Sequence, residues 1–408
     1  MKSAQPKIIE LTEYSPEMFT RDAISENVGQ LLWRNYRDQV AIESPDFKTD
    51  YRWRLTAQGW AGYIPLTPEF GLALRPKVNL GNLFRMLEYA YRLRSFRFLE
   101  GLIDCQSLKE FYERLANVLA RRVLDRGRKG FYRAYLPETE RLPYVRGRLN
   151  MRQVVEAPWD VKLQCHYEEH TGDIEENQIL AWTLWNIAHS GMCTERVLPT
   201  VRRAYRALQG FVTLVPHNPQ ACVGQLYHRL NEDYQSLHAL CRFFLEHSGP
   251  SHKMGDRRML PFLVNMERLF ELFVAEWLKS HLPRDFKLKA QEKVDIDHSG
   301  TLHFDIDLVL YDADGVARCV LDTKYKTPSA PAPSDIAQVM AYAEAKGCCV
   351  AVLVYPTSLG KPLDKYVGDI RVRSLTFSLD GELEYAGQVF IQSLLAAQSK
   401  QGTELQDW

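Results

Sequence analysis

Apolar residues recur at helical spacing in some stretches of the chain and at strand spacing in others, and the two periods divide it into regions. Ile8–Tyr14 reads as an opening strand and Asn27–Val40 as a helix. Tyr51–Leu66 alternates aromatic and polar residues as a strand does, with Gly59 and Gly62 marking turns. Leu72–Val78 predicts another strand and Gly81–Leu93 a helix, so residues 1–100 predict a β-rich domain with helices attached. Ser107–Arg126, Glu176–Ala188, Val197–Leu214 and Leu226–His247 are helical by period, which makes residues 101–250 mainly helical. The polar, Gly-containing Ser248–Arg258 marks the boundary of a last domain, residues 251–408. There, Leu260–His281 predicts an amphipathic helix, with Met266, Leu269, Phe270, Phe273, Val274, Trp277 and Leu278 on its apolar face. Phe286–Val294 predicts a strand, and Ser334–Lys346 a helix with Ser334 as N-cap. Cys348–Tyr355 is a continuous apolar run fit for a buried strand. The fold class that follows is α+β and multidomain.

Composition narrows the function classes. The 408 residues carry a formal net charge of zero, so no global attraction to nucleic acid follows and any such contact rests on local patches. The densest basic cluster is Arg121, Arg122, Arg126, Arg128, Lys129 and Arg133, which reads either as a solvated loop or as a contact for phosphate or an acidic partner. Trp53, Trp60 and Tyr63 could stack on a base, but aromatic residues on a strand face more commonly pack. The eight cysteines show no C-x-x-C zinc spacing and follow no secretory signal, which predicts reduced thiols in a cytoplasmic protein. No apolar run is long enough to span a bilayer. There is no G-x-x-x-x-G-K-[ST] phosphate loop, no G-x-S-x-G elbow and no H-E-x-x-H pair, which leaves little support for a nucleotide-binding, metabolic or zinc enzyme.

The candidate chemistry gathers in residues 301–327. Phe304–Tyr311 and Arg318–Lys326 predict two strands joined by the turn Asp312-Ala-Asp-Gly315. Residues two apart on a strand share a face, so Asp305 and Asp307 point together, as do Asp322, Lys324 and Lys326. A hairpin brings those faces side by side. Two carboxylates suit Mg2+, a hard cation that keeps several waters. A lysine beside them can orient or deprotonate water and balance charge on a phosphate. A hairpin with charges on its solvent face is the plain alternative. The flanks favour chemistry: Glu267 and Glu271 share one edge of the preceding helix, and Gln338 and Tyr342 one face of the following helix.

The order helix, strand, strand, strand with Asp322-Thr-Lys324, helix, strand resembles the PD-(D/E)xK nuclease superfamily, with Gln338-V-M-A-Tyr342 similar to the Q-x-x-x-Y helix of RecB-like members. No proline precedes Asp307, which leaves Asp305 and Asp307 both open as the first acid; Asp307 is preferred because an apolar strand follows it directly. A second resemblance, from about Gly59 to Tyr355, is to the McrC family, the nuclease subunit of McrBC modification-dependent restriction systems. It rests on GYIPLTPEFGLALRPKVNLGNLFRMLEYAY, Arg146-Gly-Arg-Leu149, Asp173-I-E-E-Asn177-Q-I-Leu180, His228-Arg-Leu-Asn231 and Leu269-Phe-Glu271.

These resemblances imply a restriction-endonuclease-like α/β domain with a mixed central sheet at the C-terminus. They imply an Mg2+-dependent endonuclease that cuts DNA and whose N-terminal part inserts into and stimulates a McrB-like AAA+ GTPase ring. Recognition of the modified base falls to that other subunit. In this scheme Asp307, Asp322, the Thr323 carbonyl and Glu271 bind the metal, Glu267 being a weaker choice than Glu271. Lys324 lies beside the attacking water, Gln338 and Tyr342 position it or the DNA strand, and Lys326 contacts the DNA backbone. The expected partner contacts are the Tyr51–Leu66 hairpin and the Arg121–Arg133 cluster. A stand-alone repair or recombination nuclease, and a non-catalytic activator of an AAA+ ring, are the alternative classes.

Overall fold

The N-terminal pattern folds as two small sheets around a helix. In chain order come β1 (Lys7–Thr12), β2 (Pro16–Phe19), α1 (Glu26–Tyr36), β3 (Val40–Glu43), β4 (Trp53–Ala57), β5 (Trp60–Thr67), β6 (Phe70–Arg75) and α2 (Leu80–Ala90). The structure is a computed structural model that describes residues 7–67, 70–91, 105, 107–157, 159–249, 252–254, 257–259, 261–295, 302–326 and 328–396. The end of the expected Gly81–Leu93 helix and parts of the Ser248–Arg258 boundary lie outside the described residues. Strand β4 pairs antiparallel with β2 and β3, and β6 lies between a parallel β1 and an antiparallel β5. Leu32 and Tyr36 of α1 meet Leu55, Ile64, Leu72 and Leu74 in one buried cluster. Trp53 is buried in this cluster and Trp60 packs against it, while Tyr63 is buried in β5, so packing rather than base stacking accounts for these three aromatic residues.

The middle of the chain runs α3 (Leu108–Lys129), β7 (Ala134–Leu142), β8 (Arg148–Leu149), α4 (Met151–Glu156), β9 (Leu163–Thr171), α5 (Glu175–His189), α6 (Leu198–Leu208), α7 (Tyr234–Glu246), β10 (His252–Met254) and β11 (Arg257–Met259). The helical expectation holds for α3, α5, α6 and α7, with α6 and α7 shorter than their apolar period suggested. It misses a three-stranded antiparallel sheet, β7-β9-β8, that includes the Arg-Gly-Arg-Leu segment. The reason is physical: the middle of β7, Pro137–Arg141, is exposed on both faces, so the strand lacks a continuous one-sided alternation. The polar boundary segment likewise pairs as β10 and β11.

The last part contains β12 (Phe262–Asn265), α8 (Met266–His281), β13 (Phe286–Asp295), β14 (His303–Asp312), β15 (Ala317–Thr323), α9 (Pro333–Lys346), β16 (Val350–Tyr355), β17 (Asp364–Val367), β18 (Ile370–Thr376) and α10 (Leu383–Leu395). A mixed six-stranded sheet runs β13-β14-β15-β16-β18-β17, antiparallel from β13 to β15, parallel across β15, β16 and β18, and antiparallel again at β17. Strand β16 buries every residue: Ala351, Leu353 and Tyr355 join Val339, Tyr342 and Ala343 of α9, and the alternate residues fill the opposite face. Trp277 and Phe273 of α8 pack on Phe377, which also meets Phe390 of α10.

Four expectations are corrected here. Residues 262–265 are not the start of a helix: they pair antiparallel with β5, Phe262 opposite Tyr63, and Asn265 caps α8 by accepting from the Arg268 amide at 3.0 Å. Gly62 is not a turn residue: it lies inside β5 at φ +146°, where a Cβ would fall 2.0 Å from the Phe262 carbonyl oxygen. Only glycine permits β12 to approach so closely. Contacts accordingly divide the chain into two compact units, Met1–Phe111 with Phe262–Trp408, and Tyr112–Pro261, rather than at 100 and 250. Ser334 does not cap α9 either; the cap is Ala332, with Pro333 in the first turn.

Candidate active site

The hairpin predicted to carry the chemistry is β14 and β15, and its open end forms the site. Ladder pairing holds from Tyr311–Ala317 to Leu308–Leu321. Beyond it the strands are tied through side chains: the Thr323 amide and the Thr323 hydroxyl both donate to Asp307 Oδ2 at 2.9 Å. Thr323, expected to offer its carbonyl to a metal, thus first fixes the orientation of Asp307. Asp305, the other candidate first acid, is exposed and lies 3.6 Å from His303 Nε2, away from this cluster.

Asp322 is 2% exposed, and its carboxylate meets the Lys324 ammonium at 2.7 Å. Lys324 Nζ also donates to Gln338 Oε1 at 2.9 Å, and Gln338 Nε2 donates to the Tyr342 hydroxyl at 2.8 Å. Helical spacing puts Gln338 and Tyr342 one turn apart on α9, and Phe304 of β14 packs edge-on to the Tyr342 ring at 5.3 Å. The Lys324 amide donates to the Val354 carbonyl at 2.8 Å, anchoring the backbone to β16. The structure therefore brings together Asp307, Asp322, Thr323, Lys324, Gln338 and Tyr342.

The electrostatics are those of a crowded acidic site. Burial, then the charges of Asp307 and Asp322, push the half-buried Glu271 up to about 7. Burial and the Asp307 charge also raise Asp322, against the pull of Lys324. Burial works against the Lys324 ammonium, yet Asp322, Asp335 and Asp307 hold its pKa above the ordinary lysine value. These carboxylates favour the charged form of Lys324.

Glu271 reaches this site from α8 and accepts from Gln291 of β13, a residue the sequence reading did not single out. Gln291 adopts φ +51° in β13, between the pairs Ala290–Leu308 and Glu292–Ile306, which sets it across from Asp307. Nothing in its sequence neighbourhood marks such a kink. Glu267, one turn earlier, interacts instead with Glu13 and Tyr14. Lys326, expected to contact the DNA backbone, is exposed and its ammonium is paired with the buried Asp335 of α9.

The donor set is all hard oxygen, and the Asp307 charge bears on both Asp322 and Glu271, a clustering of acids that suits a small divalent cation among them, with Asp322 Oδ2 already ion-paired to Lys324 at 2.7 Å. Among the described residues no three His, Cys, Asp or Glu side chains are already gathered as a metal cluster, so waters or backbone oxygens would complete the shell. No disulfide joins any of the eight cysteines, all of which lie among the described residues. Among the described residues no helix is long and apolar enough to cross a membrane.

A family model described as "McrBC 5-methylcytosine restriction system component" matches residues 55–356. The type IV methyl-directed restriction enzyme EcoKMcrBC of Escherichia coli (strain K12) is 23% identical over 215 residues, which are 51% of this chain and 61% of that protein. One chain in the half-complex of Thermococcus gammatolerans McrB AAA+ hexamers with bound McrC superposes with a TM-score of 0.55 at 16% identity, covering 96% of this chain and 100% of that one. At that identity the likeness is one of fold.

Proposed function

Because the chain belongs to the McrBC 5-methylcytosine restriction system component family, we propose that it is the DNA-cutting subunit of such a system, working beside an AAA+ GTPase ring. The observation that carries this reading is the Lys324 ammonium held between Asp322 and Gln338 at the strand end where Thr323 orients Asp307. Phosphodiester hydrolysis needs charge fixed in advance where the phosphate will sit, and a lysine held at both sides supplies it without reorganising.

Asp307 and Asp322 would hold Mg2+, with Glu271 and the Thr323 carbonyl as further oxygen donors. The bound cation would polarise the phosphate and lower the pKa of a water. Lys324, kept protonated by its carboxylate neighbours, stabilises the charge that grows on the phosphate oxygens. Gln338 fixes the ammonium and Tyr342 fixes Gln338. Thr323 keeps Asp307 from swinging away.

The partner is proposed from the relatives, whose assemblies join McrB AAA+ hexamers to McrC. The test is cleavage of 5-methylcytosine DNA with Mg2+, GTP and the AAA+ subunit. Lys324→Ala should lower the cleavage rate by about 10²–10³ while GTP hydrolysis is still stimulated. A Lys324→Ala chain that cuts at the wild-type rate would remove this site from the reaction.

A further inference from the structure

One buried carboxylate is used by none of this chemistry. Glu13 follows β1, is 0% exposed, and leaves its Oε1 without a hydrogen bond. Its other oxygen accepts from the Lys77 amide at 3.2 Å and from the Tyr325 hydroxyl at 3.3 Å. Burial raises its pKa, and Glu267 adds to the effect while Lys77 opposes it. A buried acid without a full set of partners is costly, so its retention asks for a role.

Its surroundings are built. The Glu13 amide donates to Arg75 at 2.9 Å and the Tyr14 amide to Ala57 at 2.9 Å, which ties the segment to β6 and β4. The Met266 amide donates to Gly59 at 3.0 Å, bringing the start of α8 to the same place. The Lys77 ammonium lies 5.3 Å from the centre of the Tyr14 ring. Glu13 thus sits where three strands of the N-terminal sheets and α8 converge.

Tyr325 is the next residue after Lys324. Its ring is buried, 6.1 Å from Phe270, the neighbour of Glu271 on α8. Three consecutive side chains therefore have three separate anchors: Lys324 on Asp322 and Gln338, Tyr325 on Glu13, and Lys326 on Asp335. Lys324 lies just beyond the end of β15, where the ladder no longer holds its backbone on both sides.

We propose that Glu13 is a positioning residue for the site. By holding the Tyr325 hydroxyl it fixes the backbone of Lys324 from the N-terminal sheets, and so makes the lysine's placement depend on those sheets. This rests on the nuclease reading above, and its test separates the two.

Glu13→Ala, Glu13→Gln and Tyr325→Phe are assayed in the full complex on 5-methylcytosine DNA with Mg2+ and GTP, with Lys324→Ala alongside. Rates are taken well below the thermal midpoint of every variant. Tyr325→Phe and Glu13→Ala should lower kcat for cleavage by about tenfold or more, the scale set by small misplacement of a reacting group. KM for DNA and the stimulated GTP hydrolysis should stay within about twofold of wild type, because neither uses Lys324. Glu13→Gln keeps an acceptor oxygen and should restore most of the cleavage rate. If Tyr325→Phe and Glu13→Ala cut like wild type while Lys324→Ala is dead, the positioning role is wrong and the nuclease reading survives. If cleavage and GTP hydrolysis fall together, the pair is merely structural and the proposal is overturned. If Lys324→Ala itself cuts like wild type, both fall.

Discussion

Glu271 makes the acidity of the site measurable without any substrate. Its pKa of about 7 lies above the ordinary glutamate value, so between roughly pH 4.5 and 7 the folded chain holds a proton that the unfolded chain has released. Stability from this group is complete below that window and is lost as pH rises through 7. The metal-free protein should therefore lose a few degrees of melting temperature between pH 5.5 and 8, and Glu271→Gln should flatten that slope. Mg2+ should raise the melting temperature more at pH 8 than at pH 6, since it competes with the proton. An equal Mg2+ effect at both pH values would mean that the acids are not its ligands. At this scale the sequence was informative where contacts are local: spacing puts Asp322 and Lys324 on one strand face and Gln338 and Tyr342 on one helix face, and the structure brings the four side chains together. Glu13 and Gln291 were not, because each gains its place through a contact hundreds of residues away or through an irregular backbone.

Elements were legible in proportion to how one-sided they are. Strands β14 and β16 and helices α8 and α9 bury one face or both, β13 half-buries one face, and their period shows it. Strands β7 and β9 have no continuous apolar face, and β12 is four residues long and runs straight into a helix, so its apolar residues merged into the helical period. The basic end of α3 was read as one cluster, but its members differ. Arg126 lies over the Tyr234 ring at 5.2 Å, donates to the Leu230 carbonyl at 3.1 Å and pairs with Asp233 at 3.4 Å. Arg121 and Lys129 are exposed. Arg126→Ala should thus destabilise the protein by about 1–3 kcal/mol in urea unfolding. Arg121→Ala should stay within about 0.5 kcal/mol of wild type. Equal effects would show that Arg126 is not a fastening.

At the scale of the whole chain, the N-terminal and C-terminal thirds form one compact unit, and Tyr112–Pro261 forms another. Period and composition describe stretches of sequence, not the pairing of distant ones, which is why a three-part division was the natural reading. One seam between the two segments of the first unit is β5 against β12, closed at Gly62. Gly62→Ala should cost roughly 2–4 kcal/mol, from the clash and the backbone strain together. Hydrogen exchange should then quicken in β15 and β16 as well as in β5 and β6, because β12 runs directly into α8, which packs on β13 and β15 of the six-stranded sheet. Faster exchange confined to β5 and β6 would show that the two segments open independently.

That seam also sets an order in time. Tyr63 leaves the ribosome long before its partner Phe262, and at about 5–20 residues per second the wait is roughly ten to forty seconds. Throughout it one edge of β5 has no partner, while Tyr112–Pro261, the second compact unit, emerges. The newborn chain therefore carries an unfinished sheet edge for that interval, the kind of exposed edge that a slow stretch of translation or an idle chaperone leaves open to other chains.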